Sequence, residues 1–333
     1  MVHEAFVELL LAGDRTSQES GPHLTVEFLR RTIGFATQYA ELENLLLGAS
    51  RVAYSPVGLA MNLSITGDVA TQGEALAAAE RTRFKLPEGP ILGVDRLIED
   101  QGVKLIPRAF PAGVRARAGF FFESDLGPCI FYDAAVQPAQ RDYALAHQYG
   151  HFLADFDPYI HTICGAPSPA SLGDSRELRA HQFALAFLMP HVDMTLYRQA
   201  LDEQPGTVPT REFVQQLQVY FGVDNAIVLW RLLSLGWIDP AGVEMLLLAP
   251  GGLLPEIDLE QADGDERLNL GRPIPERYIH LVASAFGKGQ IGLPAAAAFL
   301  ECDVEEARRV LLQFRYEEKA ADSDPAAARP SPN

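Results

Sequence analysis

The spacing of hydrophobic and polar positions predicts helices towards both ends of the chain and a short sheet between them. Over residues 1–90, apolar side chains recur every three or four positions, as in Val26, Leu29 and Ile33, which is the period of a helix. Three short apolar runs further on are typical of strands, at 103–106, 118–122 and 129–132. The pattern therefore predicts an α+β fold in which a small, mostly antiparallel sheet packs on helices.

Interruptions of this pattern divide the chain into five predicted segments. Pro87 and Pro90 frame a turn that ends the first helical region, and an acidic stretch rich in glycine and proline follows the central part. The segments are an N-terminal helical region, a central domain with a helical extension, a linker, a C-terminal helical unit and a disordered tail, at 1–90, 91–250, 251–275, 276–316 and 317–333. The first region is also a candidate degenerate helix-turn-helix, although it lacks a clear recognition helix rich in arginine, glutamine or asparagine.

Two helices and a long loop are predicted within the central domain. Helical spacing runs from Pro138 to about Phe156 and again from Arg176 to Leu188. Residues 157–175 between them carry three prolines, two glycines and three serines, which favours a loop. A loop of this length lets the second helix fold back beside the first. Three further helices are expected before the linker.

Composition and charge narrow the classes of function. The 333 residues are 48% hydrophobic, enough for a sizeable core, and 27 Lys+Arg against 44 Asp+Glu give a net charge of −17. DNA binding depends on clustered positive charge, so this balance disfavours nucleic acid as the main partner. The sequence has no leader-like start and no uncharged apolar run of about 18 residues, so we expect a cytoplasmic protein without a membrane partner. The three cysteines form no CxxC pair, and Cys129 and Cys164 are interpreted as buried small hydrophobes without a redox role.

The strongest chemical signal is the run HQYGH at 147–151, inside the first of the two predicted helices. Histidines at i and i+4 share one helical face, so the imidazoles of His147 and His151 can reach one metal ion. A metal site of the hydrolytic kind needs a third protein ligand, and Glu177 on the next helix is the best candidate. Asp155, one turn beyond the second histidine, is placed to orient that imidazole.

Two blocks of the sequence resemble the ImmA/IrrE family of zinc metallopeptidases. They read QRDYALAHQYGHFLAD and RELRAHQFALAFLMP, against the family patterns R-F-T-L-A-H-E-L-G-H and E-x-x-A-N-x-F-A-x-x-L-L-M-P. Both blocks stand in the family's order and spacing, and the resemblance extends over about residues 91–248. It implies a zincin-like metallopeptidase domain flanked by helical regions, with zinc or another divalent metal held by His147, His151 and Glu177.

The resemblance also implies a partner and a mechanism, from which this chain departs at one position. Relatives are expected to cleave a helix-turn-helix repressor and so derepress stress or mobile-element genes. Where the family has the glutamate that takes a proton from the attacking water, this chain has Gln148, whose amide cannot accept that proton at neutral pH. Losing general acid–base catalysis costs about 10²–10⁴ in rate. We therefore expect an impaired or absent peptidase step and intact metal binding.

Other residues near the motif are weaker candidates. His181, where the family commonly has asparagine, shares a helical face with Glu177 and is expected beside the site, not among the ligands. Tyr159 and His161, in the predicted loop, are candidate transition-state donors or simply solvated residues. Each stronger candidate has an ordinary alternative too. An HxxxH pair arises by chance, Asp155 suits a protein surface, and an acid at 177 suits a helix N-terminus.

Three hypotheses of function follow from the sequence. The first is a zinc-dependent, endopeptidase-like transcriptional regulator whose cleavage step is impaired at residue 148. The second is a non-catalytic zinc-binding protein that docks a peptide or partner in the same cleft. The third is a DNA-binding regulator that uses residues 1–90, which the net charge disfavours. Cleavage of a peptide bond separates the first two, because both predict a bound metal.

Overall fold

The computed structural model describes residues 7, 10, 23–48, 67–155, 161–165, 171–201, 209–248 and 274–323. In this part of the chain three helices precede three strands, and a fourth strand lies between the first two of the remaining helices. The helices are α1 (Val26–Leu47), α2 (Val69–Arg83), α3 (Val94–Glu99), α4 (Pro138–Ala154), α5 (Ser175–Leu188), α6 (His191–Ala200), α7 (Arg211–Phe221), α8 (Asn225–Ser234), α9 (Pro240–Leu248), α10 (Glu276–Gly287), α11 (Leu293–Phe299) and α12 (Val304–Ser323). The strands are β1 (Lys104–Arg108), β2 (Ala116–Glu123), β3 (Gly127–Asp133) and β4 (His161–Gly165). None of the described helices is long and apolar enough to cross a membrane.

The predicted α+β class is confirmed, and the differences lie at the edges of the predicted elements. The extension after α5 has four helices, α6 to α9, where three were expected. The last helix continues to Ser323, so residues 317–323, expected in a disordered tail, are helical. The predicted linker lies almost wholly outside the described residues. So does the connection 49–66 that a helix-turn-helix would need.

The four strands form one sheet in the order β1-β3-β2-β4. The pair β1–β3 is parallel, whereas β2 pairs antiparallel with both β3 and β4, so the sheet is mostly antiparallel as predicted. The strand β4 corrects the expectation of a continuous loop over 157–175. Its five residues are flanked by prolines and glycines, and it is stabilised by backbone pairing to β2, in which Ala118 faces Cys164. A strand this short gives no periodic signal of its own.

Alternate residues of the strands face two separate cores, so the sheet lies between two helical layers. Phe120 and Ile130 pack in a core with residues of α2, α4, α5 and α8. Phe121 and Phe131 point the other way, into a core formed with α1, α10, α11 and α12. The expected N-terminal helical region is therefore divided: α1 joins the C-terminal helices, and α2 joins the layer that carries the HQYGH motif.

A cluster of charged side chains is buried where α1, α3, β1 and α10 meet. Glu43 accepts hydrogen bonds from Lys104 and Arg277, each at 2.7 Å. The hydroxyl of Tyr39 donates to Glu99 at 3.1 Å and accepts from Arg277 at 3.2 Å. Buried charges of this kind are tolerated only when they are paired, so the cluster fixes how the terminal helices sit against the sheet.

The stability of the fold is expected to depend on the protonation of Glu99. Burial is the largest cause that raises the pKa of this carboxyl from 4.5 to about 8. Between these values the folded chain holds a proton that the unfolded chain releases, so the free energy of unfolding falls as the pH rises, by up to about 1.4 kcal/mol per pH unit. In Glu99→Gln, the free energy of unfolding should no longer fall as the pH rises from about 5 to 8, which is the span of the shift. Urea unfolding at several pH values in this range measures this slope. The exposed Glu41→Gln should keep it, and equal slopes in both variants would contradict the assignment.

Candidate metal centre

The helix α4 presents two imidazoles on one buried face. It begins at Pro138, whose fixed φ suits the first helical turn, and ends at Ala154. His147 and His151 lie one turn apart, with their Nε2 atoms 3.2 Å from each other. Their side chains are 9% and 1% exposed, so both nitrogens are withdrawn from solvent.

The helix α5 brings a carboxylate to the same point. Its first turn is capped by Asp174, which accepts from the backbone N–H of Arg176, and this places Glu177 at the N-terminal end. The Glu177 oxygens lie 3.3 Å from His147 Nε2 and 3.2 Å from His151 Nε2. The structure thus brings together the three side chains that the sequence nominated as metal ligands.

A fourth side chain, Cys164 on β4, completes the cluster. Its Sγ lies 3.4 Å from Glu177 Oε1 and 3.7 Å from His151 Nε2. One donor atom from each of the four residues lies within 4.8 Å of the others, so the group could hold a metal ion. The sequence interpretation of Cys164 as a buried small hydrophobe was right about burial and missed this neighbourhood. The position of Cys164 beside the other three donors depends on the pairing of β4 with β2, and the sequence carries no signal of that pairing.

The donor set fits zinc. Histidine nitrogen, carboxylate oxygen and cysteine sulfur are the ligands that zinc takes in proteins, usually in a tetrahedron. With metal–ligand lengths of about 2.0–2.1 Å, nitrogen and oxygen ligands in a tetrahedron are separated by roughly 3.3 Å. The observed separations of 3.2, 3.3 and 3.2 Å among His147, His151 and Glu177 agree with that value.

Electrostatics at the cluster lower the pKa of its acid and of its thiol. Burial raises the pKa of Glu177, but hydrogen bonds and charge from His147 and His151 outweigh it and hold that pKa well below its usual range. The same balance lowers the pKa of Cys164 despite its burial. Hydrogen bonds to Cys164, Glu177 and, for His151, Asp155 raise the pKa of both histidines despite their burial, so the protons of the cluster lie on the imidazoles, and metal binding, which requires neutral imidazoles, would release them.

Asp155 contacts the second histidine, from the position one turn beyond it. Its Oδ2 lies 2.8 Å from His151 Nδ1, and its other oxygen is paired with Arg179 from α5. A proton held on Nδ1 by this carboxylate leaves the Nε2 lone pair directed at the cluster. Within the described residues, Nδ1 of His147 has no such partner.

His181 lies beside the four residues and is not one of them. Its Nδ1 is 2.6 Å from the hydroxyl of Tyr143, and its ring packs edge-on against Trp230. Burial and the neighbouring His147 lower the pKa of His181 to about 3, so it is a neutral packing residue with a fixed hydrogen bond. This position agrees with the expectation that it flanks the site.

The amide of Gln148 is turned towards the sheet. Its Oε1 accepts a hydrogen bond of 2.6 Å from the Thr162 hydroxyl, and its Nε2 donates to the Ala118 carbonyl at 3.4 Å. The side chain is fully buried, and the two contacts join α4 to both β2 and β4. Both ends of the amide are therefore engaged by the protein.

Of the two loop candidates, the one that the structure describes, His161, is not brought to the cluster. Tyr159 lies outside the described residues. His161 begins β4 opposite Phe121, and strand alternation places it on the other face from Thr162 and Cys164.

The cluster is formed by a helical HxxxH pair, an acid on the next helix and a cysteine on a sheet strand, and these four residues could hold a metal ion. Residues 98–233 match the family model described as the IrrE N-terminal-like domain, Peptidase_M78. This match to the central part of the chain confirms the resemblance read from the two sequence blocks. The HExxH form of the motif is absent, since residue 148 is glutamine.

Among solved structures, a Mycobacterium tuberculosis transcriptional regulator is similar at 18% identity with a TM-score of 0.33. The match covers 62% of this chain and 54% of that one, so it spans about half of the regulator's length. No curated protein matches the sequence.

Proposed function

We propose that this chain is a zinc-holding regulator of metallopeptidase type that binds a helix-turn-helix repressor without cleaving it. The domain extends over about residues 91–250 and holds the ion through His147, His151 and Glu177. The observation that carries the proposal is a glutamine at position 148, beside a cluster in which all three nominated ligands are brought together. It favours the second sequence hypothesis, a docking protein, over an active peptidase.

Gln148 replaces the group that would move the proton. A glutamate here accepts a proton from the attacking water and returns it to the leaving amine, whereas an amide does neither at neutral pH. The Gln148 oxygen already accepts from Thr162, and its nitrogen donates to Ala118. The Gln148 side chain therefore connects α4 to the strands β2 and β4.

In a metallopeptidase, zinc with an open coordination position supplies the polarisation of a water molecule or a substrate carbonyl. The neighbouring side chains orient the ligands. Asp155 fixes the orientation of the His151 ring, and Arg179 holds Asp155 in place. Glu177 is 26% exposed at its side chain, so a partner segment can approach the cluster from that side. This supports a site that keeps the geometry for recognising a peptide after losing the base needed to cut it.

The direct test is a binding and cleavage assay with the full chain. The zinc-loaded wild type is mixed with helix-turn-helix repressors from the same genome, and mass spectrometry follows complexes and fragments. We expect a complex of intact partners and no fragments. Fragments that disappear in His147→Ala would overturn the proposal in favour of a working peptidase, and failure to bind the partner would overturn the docking function.

A further inference from the structure

The position of Cys164 bears on whether this metal centre can ever present an open coordination site. Catalytic zinc centres use three protein ligands and leave the fourth position to water or substrate, whereas structural centres fill all four positions with protein. His147, His151 and Glu177 supply three donors here. The question is what occupies the fourth direction.

The distances from the Cys164 sulfur to the other donor atoms show what lies in the fourth direction. With about 2.3 Å to sulfur and about 2.0–2.1 Å to nitrogen or oxygen, a tetrahedral ion separates sulfur from each other ligand by roughly 3.6 Å. Cys164 Sγ lies 3.7 Å from His151 Nε2 and 3.4 Å from Glu177 Oε1. Its distance to the His147 donor is within 4.8 Å. The sulfur therefore lies where the fourth ligand of a tetrahedron belongs.

The backbone holds this sulfur in place. Cys164 pairs with Ala118 across the antiparallel β2–β4 ladder, so its position is fixed by the sheet. Thr162, two residues earlier on the same strand face, donates to Gln148 and ties β4 to α4 directly beneath the cluster. Cys164 is itself buried, and withdrawing it from the cluster would require the strand to move.

The other two cysteines lie elsewhere. Cys129 is buried on β3 in the core on the opposite face of the sheet, where burial raises the pKa of its thiol to about 12. Cys302 lies between α11 and α12, among the C-terminal helices. Of the three, Cys164 alone belongs to the group of donor atoms.

We infer that Cys164 is a fourth protein ligand and that the metal centre is closed, with two histidines, one glutamate and one cysteine around the ion. The inference rests on the proposed zinc-holding function and deepens it. A closed centre stabilises the junction of α4, α5 and β4 and leaves no position for a reacting water. Two independent features, the amide at 148 and the sulfur at 164, then each prevent hydrolysis.

The test uses cobalt(II) as a spectroscopic substitute for zinc in the full-length chain. Thiolate coordination gives an intense near-ultraviolet charge-transfer band, and tetrahedral geometry gives strong visible bands. We expect both in the wild type at one cobalt per chain. Cys164→Ala and Cys164→Ser should lose the charge-transfer band and bind cobalt more weakly. Cys302→Ser should behave as wild type, and far-ultraviolet circular dichroism confirms that each variant is folded.

The outcomes separate the two proposals. Stoichiometric cobalt binding that depends on His147 but gives no charge-transfer band in the wild type overturns the closed centre and leaves the zinc-holding function standing. A band that survives in both Cys164 variants likewise overturns it. A wild type that binds neither cobalt nor zinc overturns the zinc-holding function itself. In a second assay, the zinc-loaded Gln148→Glu chain is expected to leave the repressor intact, and cleavage by it would contradict closure.

Discussion

Zinc is expected to raise the free energy of unfolding of the metal-free chain by about 4 kcal/mol when free zinc is 1,000-fold above its dissociation constant. The ion would bind only the folded chain, because the donors of His147, Cys164 and Glu177 come from three separate elements, α4, β4 and α5. Unfolding separates these elements and releases the ion. Thermal unfolding with and without a chelator measures the shift.

Two variants define this prediction. His147→Ala should unfold at the same temperature with and without zinc. His280→Ala removes a half-exposed imidazole on α10, away from the cluster, and should keep the full zinc-dependent shift. If zinc stabilises the His147→Ala chain as much as the wild type, the ion binds at a different place and the assigned centre is wrong.

Gly73→Leu is expected to destabilise the fold by about 3 kcal/mol or more, at the upper end of the cost of overpacking. Gly73 lies on α2 where this helix crosses α5. A Cβ atom added here would lie 2.6 Å from the Arg179 carbonyl oxygen and 2.8 Å from the Phe183 nitrogen. Both are backbone atoms of a helix, so relief requires α2 and α5 to separate. Urea unfolding measures the loss.

Gly34→Leu is the matched control for this variant. Gly34 is an exposed glycine inside α1, and a Cβ there meets nothing within 4 Å. Leucine favours a helix over glycine by up to about 1 kcal/mol, so this variant should be unchanged or slightly more stable. Because α5 also carries Glu177, Gly73→Leu should weaken zinc binding in addition. Equal stability of the two variants would contradict the close crossing of α2 and α5.

Local pattern was sufficient to predict the helices that build the site. The HxxxH spacing places His147 and His151 on one face whatever lies around them, since that follows from the helical period. The acid at 177 was found because it opens the next helix in a block with a recognisable order. Helical spacing also placed Asp155 beside His151, because it lies one turn further along the helix. These inferences depend on contacts within or between adjacent helices.

Contacts between distant strands could not be predicted in the same way. Cys164 and Thr162 lie in a five-residue strand, and their roles depend on pairing with β2, more than forty residues earlier. The division of the N-terminal helices between two faces of the sheet is also a tertiary property. Spacing along α1 shows that one face is apolar, but not that it meets α10.

Zinc K-edge X-ray absorption of the purified, zinc-loaded full chain tests the central claim most directly, because it counts the atoms around the ion. The account predicts four ligands, with one sulfur at about 2.3 Å and three nitrogen or oxygen atoms at about 2.0–2.1 Å. Cys164→Ala should lose the sulfur shell. A chain that retains no zinc, or a zinc shell made of nitrogen and oxygen alone in the wild type, would contradict a closed metal centre at His147, His151, Cys164 and Glu177.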